Sequence, residues 1–220
     1  FDMKSRAGFE TVEIDVTKKY YKAAGFGGVG RAEKAHYEYI EEGRRPWLYR
    51  NGGASVVPFD GVMQYPRLCA HRGFNSVAPE NSLPAFGAAV DMGANEIEFD
   101  LWWTKDGEIV STHDARLERV SDGTGFVYEH TLEELKKLDF GKKYGDRFAG
   151  MRILTFEEIL KKLTCRTVMN IHLKTRDNTE DYNEDILSKI IALIDQYDCR
   201  KWVYFCTGND KLLALLKEKA

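Results

Sequence analysis

Long apolar runs are missing from this sequence, and so are closely spaced cysteines, an excess charge of either sign, internal repeats and low-complexity tracts. No apolar stretch approaches the roughly 18 residues that a membrane-spanning helix needs, so no membrane span is expected. The N-terminus, FDMKSRAGFETVEIDV, carries charges where a secretory signal would carry its apolar stretch. The four cysteines (Cys69, Cys165, Cys199, Cys206) lie far apart with no C-x-x-C pair. They read as reduced, mostly buried thiols of a cytoplasmic protein. A net charge of −3 and a pI near 6.0 leave no global attraction to nucleic acid or to an anionic membrane.

What is present is an ordinary globular composition, 43% hydrophobic and 30% charged over 220 residues, enough for a sizeable core. Residues 1–66 differ in texture from the rest. They hold a strand-like VEIDV (Val12 to Val16), a helical stretch from about Arg31 to Glu42 and the glycine- and aromatic-rich GRRPWLYRNGG. After Pro66, short apolar strands alternate with helices, the signature of βα units and a parallel sheet. Strands are expected at Leu68–His71, Glu96–Trp103, Ile109–His113, Thr167–Lys174 and Trp202–Cys206. Helices are expected after Asn81 or Ser82 as N-cap, with Pro84 in the first turn and Gly93 as the stop, then near Thr131–Leu138, Thr155–Leu163, Asp181–Gln196 and Asn209–Lys217. Residues 115–150 form a longer excursion. Five βα units fall about three short of a closed eightfold barrel, and the chain begins at Phe1 rather than Met. The chain is therefore expected to be a fragment, or to have its open edge covered by the N-terminal segment or another chain.

Strand alternation sorts the polar residues. In EIEFDL, Ile97, Phe99 and Leu101 share one face, and Glu98 and Asp100 share the other. In VMNIHLK, Met169, Ile171 and Leu173 oppose Asn170, His172 and Lys174. With the apolar sets packed on helices, the polar sets point into the barrel. His71 and His113 end their strands, where barrel enzymes assemble their sites. Two carboxylates on one strand face suit a hard cation such as Mg²⁺ or Ca²⁺. Arg72 offers a donor fork matched to phosphate oxygens, and Lys174 adds a point charge. Two imidazoles can act as base and acid near neutral pH. A metal, a cationic clamp and two imidazoles together are what phosphodiester cleavage requires.

The blocks AHRG (Ala70–Gly73), PENS (Pro79–Ser82), EFD (Glu98–Asp100), TKDG (Thr104–Gly107) and THD (Thr112–Asp114) stand in an order and spacing that resembles the glycerophosphodiester phosphodiesterases. The resemblance covers about residues 67–206. It implies a (β/α)₈ TIM-type barrel and hydrolysis of a glycerophosphodiester to glycerol 3-phosphate and an alcohol. It also implies a catalytic pair, His71 and His113, and metal ligation by Glu98 and Asp100. The family's fourth-strand block is E-x-K, with the glutamate as third metal ligand; here it is His172-Leu173-Lys174. With His172 as third ligand, a mixed nitrogen and oxygen site would also accept Mn²⁺ or Zn²⁺. The excursion 115–150 matches a small insertion that in the family bears on the glycerol side of the substrate.

Glu80 and Asn81 are candidates for supporting the site, although Asn81 is equally well explained as a helix cap. Of the consecutive Trp102 and Trp103, one is expected to face the helices and the other the mouth, with core packing the better account of at least one. Gly25, Gly27 and Gly30 spell G-x-G-x-x-G, but no strand directly precedes them, so a glycine-rich turn is expected rather than a nucleotide site. Lys18-Lys19 and Arg44-Arg45 read as solvated surface. Two rival functions share the scaffold. A larger apolar face in 115–150 would favour a lysophospholipase D, and a non-catalytic phosphate-binding module would show no turnover. An open five-unit sheet would also expose the edge of its last strand and favour self-association.

Overall fold

In EIEFDLWW every second side chain is apolar, and this pattern builds the central strand of the fold. The computed structural model describes residues 2–3, 12–15, 20–22, 67–176 and 183–219. The chain divides into two compact units, Phe1–Asp60 and Gly61–Ala220. In the first, β1 (Asp2–Met3), β2 (Val12–Asp15) and β3 (Tyr20–Lys22) form an antiparallel sheet in that order. The expected Arg31–Glu42 helix, the G-x-G-x-x-G run and both basic pairs lie outside the described residues.

The second unit is a mixed α/β sheet forming part of a barrel. Its strands are β4 (Cys69–His71), β5 (Glu96–Trp103), β6 (Ile109–Ser111), β7 (Leu154–Thr155), β8 (Val168–Leu173) and β9 (Val203–Cys206). Its helices are α1 (Leu83–Asp91), α2 (Leu132–Leu135), α3 (Phe156–Leu163), α4 (Glu184–Gln196) and α5 (Asp210–Lys219). Strands β4, β5, β8 and β9 run parallel, in that spatial order. The helices start on polar caps. Ser82 Oγ accepts from Ala85 N at 3.3 Å, and Thr155 and Glu158 close a reciprocal capping box on α3. Gly73, at φ +79, lets the turn after β4 lie against α1, because a Cβ there would come within 2.7 Å of the Ala85 carbonyl carbon.

One strand departs from expectation. The Ile109–His113 segment is no parallel barrel strand. β6 turns back antiparallel on the far half of β5, with Leu101 opposite Ser111, and β7 extends the antiparallel arm. The reason lies in the connection. Only residues 104–108 separate β5 from β6, with Gly107 at φ +77, whereas a parallel crossover needs a dozen residues or more. Asp-Gly between two apolar runs is a hairpin signal. Among the described residues the parallel strands therefore number four, and the excursion begins at the end of β5.

The apolar face of the sheet packs on the helices as parity predicts. Ile97, Phe99, Leu101, Met169, Ile171 and Leu173 join Phe86, Phe156, Ile159, Leu160, Leu187 and Ile190 in one core. Phe99 is fully buried between Phe86 and Phe156, with ring centroids 5.7 and 6.3 Å away. Phe99→Ala is expected to cost about 3–5 kcal/mol, the scale of emptying an aromatic core position. Urea denaturation reads this as a lower midpoint at unchanged slope. A second core holds the excursion together: Trp102, Val110, Leu117, Val120, Val127, Leu135, Phe140 and Ile153. Trp103 packs against the first core and Trp102 belongs to the second, so both tryptophans pack.

The cysteines are free but less buried than expected. Cys199 is buried and Cys206 intermediate, while Cys69 and Cys165 are exposed. Cys69 lies on short β4, which pairs on one side only among the described strands, and Cys165 occupies a left-handed turn before β8. No helix among the described residues is long and apolar enough to cross a membrane.

Candidate active site

The parallel register sets the site. His71 on β4 is opposite Glu98 on β5, and Asp100 on β5 is opposite His172 on β8. Neighbouring strands thus bring two acids and two imidazoles to one face of the sheet, on two successive levels toward its C-terminal end. His71 Nε2 lies 3.8 Å from Glu98 Oε2 and keeps a largely exposed ring. His172 Nδ1 lies 3.3 Å from Asp100 Oδ1 and 3.8 Å from Glu98 Oε1. Lys174 Nζ is 3.0 Å from Asp100 Oδ1 and 3.1 Å from His172 Nδ1.

Two residues beside the carboxylates hold left-handed backbone conformations, Arg72 at φ 59 and Asn81 at φ 54, which cost energy for residues other than glycine. Each is stabilised by what it binds. Arg72 N donates to the Glu98 carbonyl at 2.9 Å and to its carboxylate at 3.1 Å, and Arg72 Nε lies 3.8 Å from Asp100 Oδ2. Asn81 donates from Nδ2 to Asp100 Oδ2 at 3.0 Å. Its Oδ1 accepts from Asp100 N at 3.2 Å and from Ser111 Oγ at 3.2 Å. Ser82 is the helix cap, which leaves the Asn81 side chain to fix Asp100.

The environments of the two acids drive them apart. Burial, and then the Asp100 charge, push Glu98 up to about 7. Burial also works to raise Asp100, but His172, Lys174 and Asn81 outweigh it and hold that carboxyl well below the usual range. The His71 imidazole, though largely exposed, is held below its ordinary value by partial desolvation and by the neighbouring Arg72 guanidinium.

His113 follows β6, and its backbone carbonyl accepts from Trp102 Nε1 at 3.2 Å. Its Nδ1 lies 2.6 Å from Asp114 Oδ1. Asp114 in turn accepts from Arg119 Nε. Arg119 grips Glu80 through both terminal nitrogens, at 2.7 and 2.8 Å, and Glu80 also accepts from Arg72 at 3.2 Å. Asp114 and Arg119 are partners that sequence reasoning missed. Asp114 stands within the T-H-D block, but nothing in strand parity assigns a role to an arginine five residues later in a loop.

Glu98, Asp100 and His172 each place one ligand atom so that all three lie within 4.8 Å of one another. Asp100 Oδ1 is buried and, despite its ion-pair neighbours, has no aligned hydrogen bond. A sealed carboxylate oxygen with spare lone pairs, beside a second acid and an imidazole, fits a divalent cation.

The sequence profile of the glycerophosphoryl diester phosphodiesterase family matches residues 71–220, more than half of the chain. The chain belongs to this family. It is 37% identical over 153 residues to the glycerophosphodiester phosphodiesterase of Caldanaerobacter subterraneus, an alignment covering 70% of this chain and 62% of the relative. Among solved structures, an Oleispira antarctica phosphodiesterase in complex with the product sn-glycerol-3-phosphate is 30% identical. It matches with a TM-score of 0.63 over 70% of this chain and 62% of its own. A glycerophosphodiester phosphodiesterase from Agrobacterium tumefaciens gives 29% identity and the same TM-score over 70% of this chain and 63% of that one. The chain spans 49% and 62% of the lengths of two curated family relatives.

Proposed function

We propose that this glycerophosphoryl diester phosphodiesterase family member hydrolyses glycerophosphodiesters to glycerol 3-phosphate and an alcohol, with a divalent cation and two histidines. The observation that carries it is the convergence of Glu98, Asp100 and His172 within 4.8 Å, with Arg72 and Lys174 on Asp100 and His71 on Glu98. Glu98, Asp100 and His172 would hold the metal. When bound, that ion supplies positive charge that orients the glycerol hydroxyl and offsets charge on phosphorus oxygens. Arg72 and Lys174 bind the phosphate, the guanidinium as a fork and the ammonium as a point charge. His71, whose protonated form is disfavoured by partial desolvation and by Arg72, is suited to take the proton from the glycerol hydroxyl next to the ester. That oxygen attacks phosphorus and closes a cyclic phosphate. His113, with Asp114 against Nδ1, presents Nε2 and gives a proton to the departing alcohol. Water then opens the ring by the reverse proton movements.

The excursion gives little support to the lysophospholipase D alternative, which a lipid-substrate assay separates from the first reading. Leu117, Val120, Val127, Leu135 and Phe140 are turned into the excursion's own core, and the large hydrophobic residues that are exposed all lie outside 115–150. Small water-soluble substrates in a cytoplasmic, glycerophospholipid-degrading setting fit this better. Association of copies along the side of β9 that pairs with no described strand belongs to the same proposal and is read by light scattering. Turnover of a panel of glycerophosphodiesters with added Mg²⁺, Ca²⁺, Mn²⁺ or Zn²⁺ tests the function directly. No turnover with any ion would leave a binding module.

Two predictions follow from the ligand set. Glu98 must be ionised to bind metal, and its folded value of about 7 lies above the ordinary 4.5. Between those values the metal-free folded state keeps a proton that the unfolded chain has released. Metal-free stability should therefore decline as pH rises through this window, and metal affinity should climb. Calorimetry in buffers of differing ionisation enthalpy should record proton release on metal uptake below about pH 7, declining above it; pH-independent affinity would exclude Glu98 as ligand. His172→Glu adds an anionic oxygen opposite Asp100 and should move preference from Mn²⁺ or Zn²⁺ toward Mg²⁺ or Ca²⁺. An unchanged order of metals would remove His172 from the ligand set.

A further inference from the structure

We propose that Arg119 is a positioning residue that holds His113 and Arg72 in working geometry together, through Asp114 on one arm and Glu80 on the other. For its kinetic consequence the inference rests on the hydrolase function proposed above. Charges alternate along the array: Asp114, Arg119, Glu80, Arg72, Asp100. One end touches the imidazole of His113 and the other reaches the buried acid of the metal set.

Arg119 engages two carboxylates with three nitrogens, Nε on Asp114 and both terminal nitrogens on Glu80, which lies 39 residues earlier in the chain. That uses the planar fork of arginine, which a lysine cannot reproduce. Glu80 is largely buried, and burial pushes its carboxyl up; the bonds from Arg119 and then Arg72 outweigh this and keep it ionised. Remove Arg119, and Glu80 is left with Arg72 as its charged partner. The Arg72 fork would then close on Glu80 and turn from the phosphate. On the other arm, Asp114 would lose the donor that fixes its second oxygen and would be free to rotate away from His113 Nδ1. Arg119 is about half exposed, and exposed ion pairs add little to stability, so the consequence is geometric.

The test uses the full chain. Arg119→Ala should lower kcat by about 10–100-fold, the range for losing a partner behind a first-line group, and should raise KM for sn-glycero-3-phosphocholine or whichever glycerophosphodiester is turned over best. Its thermal midpoint should stay within a few degrees of wild type. Added guanidinium ion should restore part of the rate. In a Glu80→Gln background Arg119→Ala should raise KM much less, because the arm it acts through is already gone. A readout without turnover is nitrogen NMR of the neutral His113 ring. Wild type should show a single Nδ1–H tautomer, and Arg119→Ala a mixture. Unchanged kcat and an unchanged tautomer would make Arg119 a staple of the excursion and overturn the proposal. If Arg119→Ala does not fold, Arg119→Lys replaces it. One ammonium cannot span both carboxylates, so the tautomer should still shift, and its constancy would be equally fatal. If wild type turns over no glycerophosphodiester, the hydrolase reading fails, and the His113 signal alone still decides the role of Arg119.

Discussion

Glu98→Ala and Asp100→Ala are each expected to abolish metal-dependent turnover. The proposed metal site offers two carboxylates and one imidazole nitrogen, and a hard cation held by so few anionic oxygens would not survive losing one. The two variants should differ in stability. Asp100 is fully buried and faces Lys174 at 3.0 Å, so removing its charge takes from the Lys174 ammonium the carboxylate it is paired with. Breaking a buried pair by deleting one partner costs about 3–5 kcal/mol. Glu98 is held protonated up to about 7, so Glu98→Ala should cost less than Asp100→Ala in the metal-free protein near neutral pH. Asp100→Asn preserves the shape and the contact with Asn81, and it separates loss of metal from loss of fold. Calorimetric metal titration, thermal melts and EDTA-treated wild type complete the set. Full activity in excess EDTA would remove the metal from the mechanism.

His71→Ala and His113→Ala should each lower turnover by about 10²–10⁴-fold, the usual contribution of a general acid or base. The metal titration should change little in either variant, which distinguishes these residues from the ligand set. The pH profile of kcat/KM should be bell-shaped in wild type and lose one limb in each variant. A normal rate in either single variant would remove that histidine from the chemistry. Asp114→Asn should lie between wild type and His113→Ala, since it keeps a hydrogen-bonding partner at Nδ1 but loses the charge that Arg119 holds.

Much of this protein could be read along the chain because the interactions concerned are local or periodic. The period of two in β5 and β8 assigned Glu98, Asp100, His172 and Lys174 to one face and Ile97, Phe99, Met169 and Ile171 to the other; the apolar set joins the core, and burial alternates along β8, whereas β5 is buried on both faces. Caps such as Thr155 with Glu158 mark helix starts within four residues of sequence. The five short blocks carry the family resemblance within the sequence itself.

Other features were decided only by the tertiary structure, because they join segments whose distance apart the chain does not encode. The direction of β6 depended on a five-residue connection, although Asp106-Gly107 did carry a hairpin signal. The choice between Asn81 and Ser82 as cap required knowing that Asp100 lies within reach of Asn81 Nδ2. The exposure of Cys69 goes with a strand that pairs on one side only among the described strands, a property of the sheet and not of the residue. The array from His113 to Arg72 joins residues 72, 80, 113, 114 and 119 through one arginine in the excursion. Periodicity is silent there, since a loop has no repeat to place its side chains and only closure of the excursion onto the end of the sheet brings them together.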